Sequence, residues 1–277
     1  MSMAWDLDSI GRLVSKCDGM RAFFRRHILI AFFVMAFVLS WYPWIIALMR
    51  GRTSGPNPLG PFVAAIIMTA VVSGRSGFRE FFSRLVRWRF GAKAYAIVFM
   101  TPILICLIAV GITLCFTSPP STLPIEKLRE VPVHFLFIFL FIGLGEEPGW
   151  RGFALPQLQT KYSPLIASLI LASVWALWHL PLVGNEFPRP IVPAFLLSLF
   201  GATFMLTWLF NRTNGSVFLP MLFHATVNTV SAGLIFPLFS GAALIVLWYI
   251  YGVIWLCLGL ATLLFSANSS ARRFSGS

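Results

Sequence analysis

Val131-Pro-Val-His-Phe-Leu-Phe-Ile-Phe-Leu-Phe-Ile-Gly-Leu-Gly-Glu-Glu147 starts as an apolar run and ends on two adjacent carboxylates. Crossing the hydrocarbon core of a bilayer takes about 20 such residues. This stretch, continued to 158, is apolar only as far as Leu144 and then turns ionisable. Similar runs occupy roughly 27–49, 58–74, 93–116, 163–183, 190–211, 215–236 and 241–266, and 58–74 is short. Eight runs in one chain predict an all-α, polytopic membrane helical bundle of about eight transmembrane helices. With no internal repeat or long linker, 27–266 is read as one transmembrane domain. Residues 1–26 are read as a cytoplasmic N-terminal segment and 267–277 as a cytoplasmic tail.

Composition agrees. Hydrophobic residues make up 58% of the 277 positions and charged residues only 11%, where a soluble domain carries roughly a quarter. The net charge of +12 does not point to nucleic acid, because the bases sit in short segments between apolar runs, as membrane anchors do. With the N-terminus inside, the inner segments hold sixteen Lys and Arg and the outer ones five. That split predicts both termini in the cytoplasm. The first 26 residues lack the apolar core and cleavage site of a signal peptide. A short, loop-poor chain of this kind suits a bacterial plasma membrane.

Phe78-Arg-Glu-Phe-Phe-Ser-Arg-Leu-Val-Arg-Trp-Arg-Phe90 spaces its apolar residues as a helix does, with arginines around them. It predicts an amphipathic helix lying on an anionic leaflet, an anchor rather than a substrate gate. The four cysteines (Cys17, Cys106, Cys115, Cys257) show no metal-ligand spacing, and Cys17 falls in the basic N-terminal segment. The ten tryptophans are read mostly as belt residues, with Trp150 and Trp178 lining a site. His27 and His134 are read as interfacial, and Glu126, Lys127, Arg129 and Glu130 as a solvated loop face.

Ionisable groups inside a bilayer cost a few kcal/mol each and so suggest function. Glu146, Glu147 and Arg151 lie in the fourth run, His179 in the fifth, and His224 and Asn228 in the seventh. Measured from a turn near Lys161-Tyr-Ser-Pro164, Glu146 and His179 lie about 22–27 Å along their helices; His224 and Asn228 lie about 15–21 Å along theirs. Three helices therefore bring polar side chains to a similar depth. Glu147 and Arg151 are four apart and predict an ion pair; Glu146 is rotated about 100° away and free for chemistry. Pro148 removes a backbone donor and loosens the helix, which admits water.

Glu146-Glu147-Pro-Gly-Trp-Arg151, Trp175-Ala-Leu-Trp-His179 and His224-Ala-Thr-Val-Asn228 resemble the three motifs (EExxxR, aromatic-xxxH, HxxxN/D) of the CAAX-protease and bacteriocin-processing family of intramembrane metalloproteases. The resemblance covers about 131–236. Trp175 stands where Phe is commoner, and Pro148-Gly149 replaces apolar filler. The family implies hydrolysis of a peptide bond below the membrane surface. By that resemblance Glu146 and His179 would activate a water, His224 and Asn228 would stabilise the oxyanion, and Glu147 and Arg151 would hold the framework.

The cofactor stays open. A divalent metal such as zinc suits two histidines and a carboxylate, but no HExxH is present and a metal-free glutamate mechanism uses the same groups. The rival readings are a non-catalytic member of the scaffold, acting in peptide immunity or as a signalling scaffold, and a proton-relay transporter, which the missing repeats disfavour. The partner implied is a membrane-associated or prenylated peptide or protein. A prenylated C-terminal tetrapeptide, a leader peptide or a membrane protein would each suit a site entered from the cytoplasmic side.

Overall fold

A computed structural model describes residues 24–119 and 127–274. The readings made on Cys17, on the segment before Phe24 and on Glu126 fall outside the described residues. Eight helical segments follow one another: α1 Ile28–Met49, α2 Gly60–Leu85, α3 Ala92–Thr113, α4 Lys127–Gln159, α5 Pro164–Trp178, α6 Val192–Arg212, α7 Phe218–Leu238 and α8 Gly241–Phe274. Among the described residues seven helices are long and apolar enough to cross a membrane, and α5 is the shorter apolar one. The polytopic bundle read from the hydrophobic runs is therefore what the chain forms.

Departures from regular helix are informative. The break in α2 comes at Gly74, whose φ of 59° and ψ of −147° only glycine adopts without strain. The chain turns there, so 60–73 and 75–85 are two arms. The second arm is the amphipathic helix expected over 78–90, but it stops at Leu85. The Arg84 carbonyl accepts from Val217 N–H at 2.9 Å and the Arg87 carbonyl from Ser216 Oγ at 2.8 Å. Those carbonyls are committed to the turn before α7. Arg87 also donates to the Asn214 carbonyl, and Arg84 Nη1 to the Gly152 carbonyl at 3.3 Å. The amphipathic arm thus docks onto the ends of α4 and α7.

α4 changes helical form along its length. Ile138–Gly143 and Pro148–Ala154 are π-helical, with Leu144–Glu147 between them. Pro148 cannot donate to the preceding turn, and a wide π turn absorbs the loss. Lys127, Arg129 and Glu130, read as a loop face, belong to the exposed first turn of α4. His134 is exposed, and its ring lies against Gly233 of α7. α8 continues past 266 to Phe274.

α6 and α8 pack closest. A Cβ on Gly201 would land on the backbone of Trp255, and one on Gly259 on the Gly201 carbonyl. Helices in lipid associate through such small-residue contacts, which bring backbones together. Gly201→Val should therefore destabilise the protein by about 1–3 kcal/mol, read as a lower unfolding temperature in detergent. Gly111→Ala in α3, where nothing lies within 4 Å, should cause no loss.

Candidate active site

α4, α5 and α7 deliver the ionisable residues to one place. Glu147 is fully buried, and its Oε1 accepts from Arg151 Nη1 at 2.9 Å and from His224 Nδ1 at 2.8 Å. One oxygen thus joins the i,i+4 partner on its own helix to the histidine of α7. Arg151, also fully buried, reaches Thr203 Oγ1 of α6 at 3.4 Å, and its guanidinium lies 4.3 Å from the Trp175 ring centroid. A buried cation over an indole face gains cation–π attraction. The pair expected from spacing forms, and it holds four helices rather than one.

Glu146 points elsewhere, as the 100° rotation between neighbours requires. Its Oε2 accepts from the Trp175 indole N–H at 2.7 Å. Trp175 therefore carries Arg151 on its face and Glu146 at its edge. His179 caps the C-terminus of α5, with Nδ1 2.7 Å from the Trp175 carbonyl. A carbonyl only accepts, so Nδ1 holds the proton and Nε2 keeps its lone pair. His224 has the same polarity: Nδ1 faces the Glu147 carboxylate, leaving Nε2 on the other side of the ring.

A cavity of about 360 Å³ lies beside these groups, and Glu146, His179, His224 and Asn228 all line it. Glu147 and Arg151 are not among its walls; they stand behind. Part of its lining is aromatic, with Phe187, Phe195, Phe236, Trp248 and Tyr251, and the Phe195 ring lies 5.2 Å from that of His179. Gly145 and Gly149 let α4 press against the chain at Pro58 and Pro61, where a Cβ would collide with backbone. That contact fixes the depth of the two carboxylates.

Two expectations need correction. Trp178 lines the cavity but Trp150 does not; it is buried against Phe32, Phe33 and Trp178. Nor are the tryptophans mostly belt residues, since Trp150, Trp175, Trp178, Trp248 and Trp255 are buried. A ring with a single N–H and a large apolar area fills a bundle interior as readily as an interface. Sequence reasoning missed Trp175 as the donor to Glu146, and Thr203 as a partner of Arg151. It also missed the aromatic face of α8, although Trp248, Tyr251 and Trp255 recur at helical spacing.

Zinc is not accommodated as a conventional catalytic site. Such a site takes three protein ligands. Among the described residues no three His, Cys, Asp or Glu side chains form a group able to hold a metal ion. Glu147, the carboxylate nearest His224, is already committed to Arg151.

Removing one partner from a buried ion pair typically costs about 3–5 kcal/mol, whereas replacing both by apolar groups is nearly neutral. Arg151→Ala should therefore sharply lower the unfolding temperature in detergent. The double variant Glu147→Leu with Arg151→Met should recover most of that loss.

Comparison with known proteins bears on what this geometry serves. Residues 129–230, which contain all three motifs, match the family model described as type II CAAX prenyl endopeptidase, Rce1-like. The curated CAAX prenyl protease 2 of Methanococcus maripaludis is 26% identical over 220 residues, covering 71% of this chain and 81% of that protein. The matched region, this relative and the three motifs agree: the chain is similar to the Rce1-like CAAX endopeptidases and is a membrane peptide hydrolase.

Proposed function

We propose that the chain is an intramembrane endopeptidase that cuts membrane-associated or prenylated peptides with a water activated by Glu146. The observation that carries this reading is the division of labour at the cavity wall. Glu146, His179, His224 and Asn228 face the space, while Glu147 and Arg151 brace them from behind.

Glu146 and His179 both line the cavity, and the carboxylate and the Nε2 lone pair are two acceptors for the two hydrogens of a water. One proton passes to Glu146 as the water oxygen attacks the peptide carbonyl carbon. The carbonyl oxygen becomes an oxyanion, which the Asn228 amide and His224 Nε2 stabilise by donation. His224 donates through Nε2 only when its ring holds a second proton, and the Glu147 carboxylate at Nδ1 offsets that charge. As the C–N bond breaks, Glu146 returns its proton to the leaving nitrogen. The products are a carboxylic acid and an amine, with the enzyme unchanged. The Trp175 indole N–H keeps Glu146 oriented through the cycle.

The aromatic lining supports an apolar substrate, and the Methanococcus relative bears the name of a prenyl protease. The direct test is cleavage of a fluorogenic CAAX peptide, farnesylated or unmodified, by the purified protein in detergent. Glu146→Gln should lower turnover by about 100-fold or more at an unchanged unfolding temperature. Trp175→Phe keeps the ring and loses one hydrogen bond to a charged group, about 1.5–3 kcal/mol; kcat should fall about tenfold or more while KM changes little. Full activity in Glu146→Gln would refute the assignment.

A further inference from the structure

Glu146, His179 and His224 have roles in the proposed chemistry, but one carboxylate at the cavity has none. Glu186 lines the same cavity and is exposed, which places it at the rim. An ordered turn between α5 and α6 holds it there. The Leu182 carbonyl accepts from the backbone N–H groups of Asn185, Glu186 and Phe187 at 3.2, 3.0 and 3.0 Å, and the Pro181 carbonyl accepts from Asn185 Nδ2 at 3.3 Å. Gly184 turns the chain with a φ of 88°, a conformation glycine adopts without strain, and donates to the Phe187 carbonyl at 2.9 Å. Phe187 fixes the far side of the turn. Its ring stacks on that of Phe195 at 4.2 Å, beside His179. Across the gap lies the segment before α2, where a Cβ on Gly55 would be 3.9 Å from Glu186 Oε1. The carboxylate thus sits between two segments that both line the cavity.

Its charge has no counterpart in the chain. Among the described residues, ion pairs join Arg84 to Glu80 and both Arg151 and His224 to Glu147, and none reaches Glu186. Arg189, three residues further on, and Arg52, on the facing segment, are exposed and pair with neither carboxylate oxygen. No Lys or Arg among the described residues lines the cavity, whereas Glu146 and Glu186 do. In a chain of net charge +12, that lining has the opposite sign to the whole. A cleft lined by one sign of charge, with low-dielectric walls, focuses its field and draws the counter-charge.

We infer that Glu186 selects substrates, by pairing with a Lys or Arg of the peptide close to the scissile bond. A carboxylate only accepts, and an ammonium or guanidinium gives it a charge-assisted hydrogen bond. The path from His179 through Phe195 and Phe187 to Glu186 is spanned by about three to four residues of extended peptide. The basic residue therefore lies within about four positions of the cut. An acidic residue at the same position meets like charge and is disfavoured. Glu186 recognises rather than reacts, since the stacked Phe187 and Phe195 rings stand between it and His179. This choice among peptides rests on the peptidase reading, whereas the pairing itself is a binding property and needs no turnover.

Cleavage and binding by the purified protein in detergent both test the pairing. The probes are fluorescent CAAX peptides that differ only by Lys, Ala or Glu at one position, scanned across about four residues on either side of the cut. At one position the Lys peptide should have a KM about three- to tenfold below that of the Ala peptide, with kcat little changed, and the Glu peptide a KM above it. Glu186→Gln should bring the Lys-to-Ala ratio to about one, and Glu186→Lys should reverse the order in favour of the Glu peptide. Each ratio is taken within one preparation, so a lower folded yield does not enter it. Dissociation constants of the same peptides for Glu146→Gln, alone or combined with Glu186→Gln, should show the same preference and its loss by fluorescence anisotropy. That measurement separates failure of the pairing from failure of the peptidase reading. No preference for Lys at any position, or a preference that survives both Glu186→Gln and Glu186→Lys, would overturn the inference.

Discussion

Glu147 is a carboxylate with no exposure in a protein whose solvent is largely hydrocarbon, and its Oε1 accepts from both Arg151 and His224. An isolated charge at that depth is strongly unfavourable. The cost is offset only by partners held in good geometry, and those partners lie on different parts of the bundle. Arg151 ties the pair to Thr203 of α6 and, through its guanidinium, to the indole of Trp175 on α5. His224 ties it to α7. The position of α4 relative to α5, α6 and α7 is therefore tied to one carboxylate. The residues proposed for the chemistry are placed by that brace: Glu146 by being the next residue and bonded to Trp175, His179 by its bond to the Trp175 carbonyl, and His224 directly.

The same constraint explains the irregular backbone. Two carboxylates, a proline and flanking glycines would weaken any lipid-facing helix. Here the π turns of α4 absorb the missing donor of Pro148, and the glycines allow backbone contact with the start of α2. The short α5 and the irregular backbone after it are tolerated because they border a cavity rather than lipid. Local order is given up around the cavity, and recovered in the Gly201–Trp255 contact of α6 and α8.

Much of this was legible in the chain. Hydrophobic runs locate the helices because length and apolarity decide membrane insertion, and the i,i+4 spacing of Glu147 and Arg151 predicts their pair. Similar depths for Glu146, His179 and His224 follow from counting along helices from a shared turn. Other features were hidden because they depend on packing between distant segments. Trp175 reads as one tryptophan among ten, and only the juxtaposition of α4 and α5 makes its N–H the donor to Glu146. Trp150, which looked equally suited to line the site, faces α1 instead. The end of the amphipathic arm at Leu85 follows from Arg84 and Arg87 carbonyls taken by residues about 130 positions away. Thr203, in an otherwise apolar helix, carries no local signal for a guanidinium partner.

The central claim is that Glu146 drives peptide hydrolysis in the membrane. Mass spectrometry of membrane-associated peptides from otherwise identical cells, carrying either the intact chain or Glu146→Gln, tests it in the native setting. The account predicts a set of cleaved peptides present only with the intact chain, their uncut precursors accumulating in the variant. Identical peptide sets in both strains, with the variant present at normal levels, would contradict it.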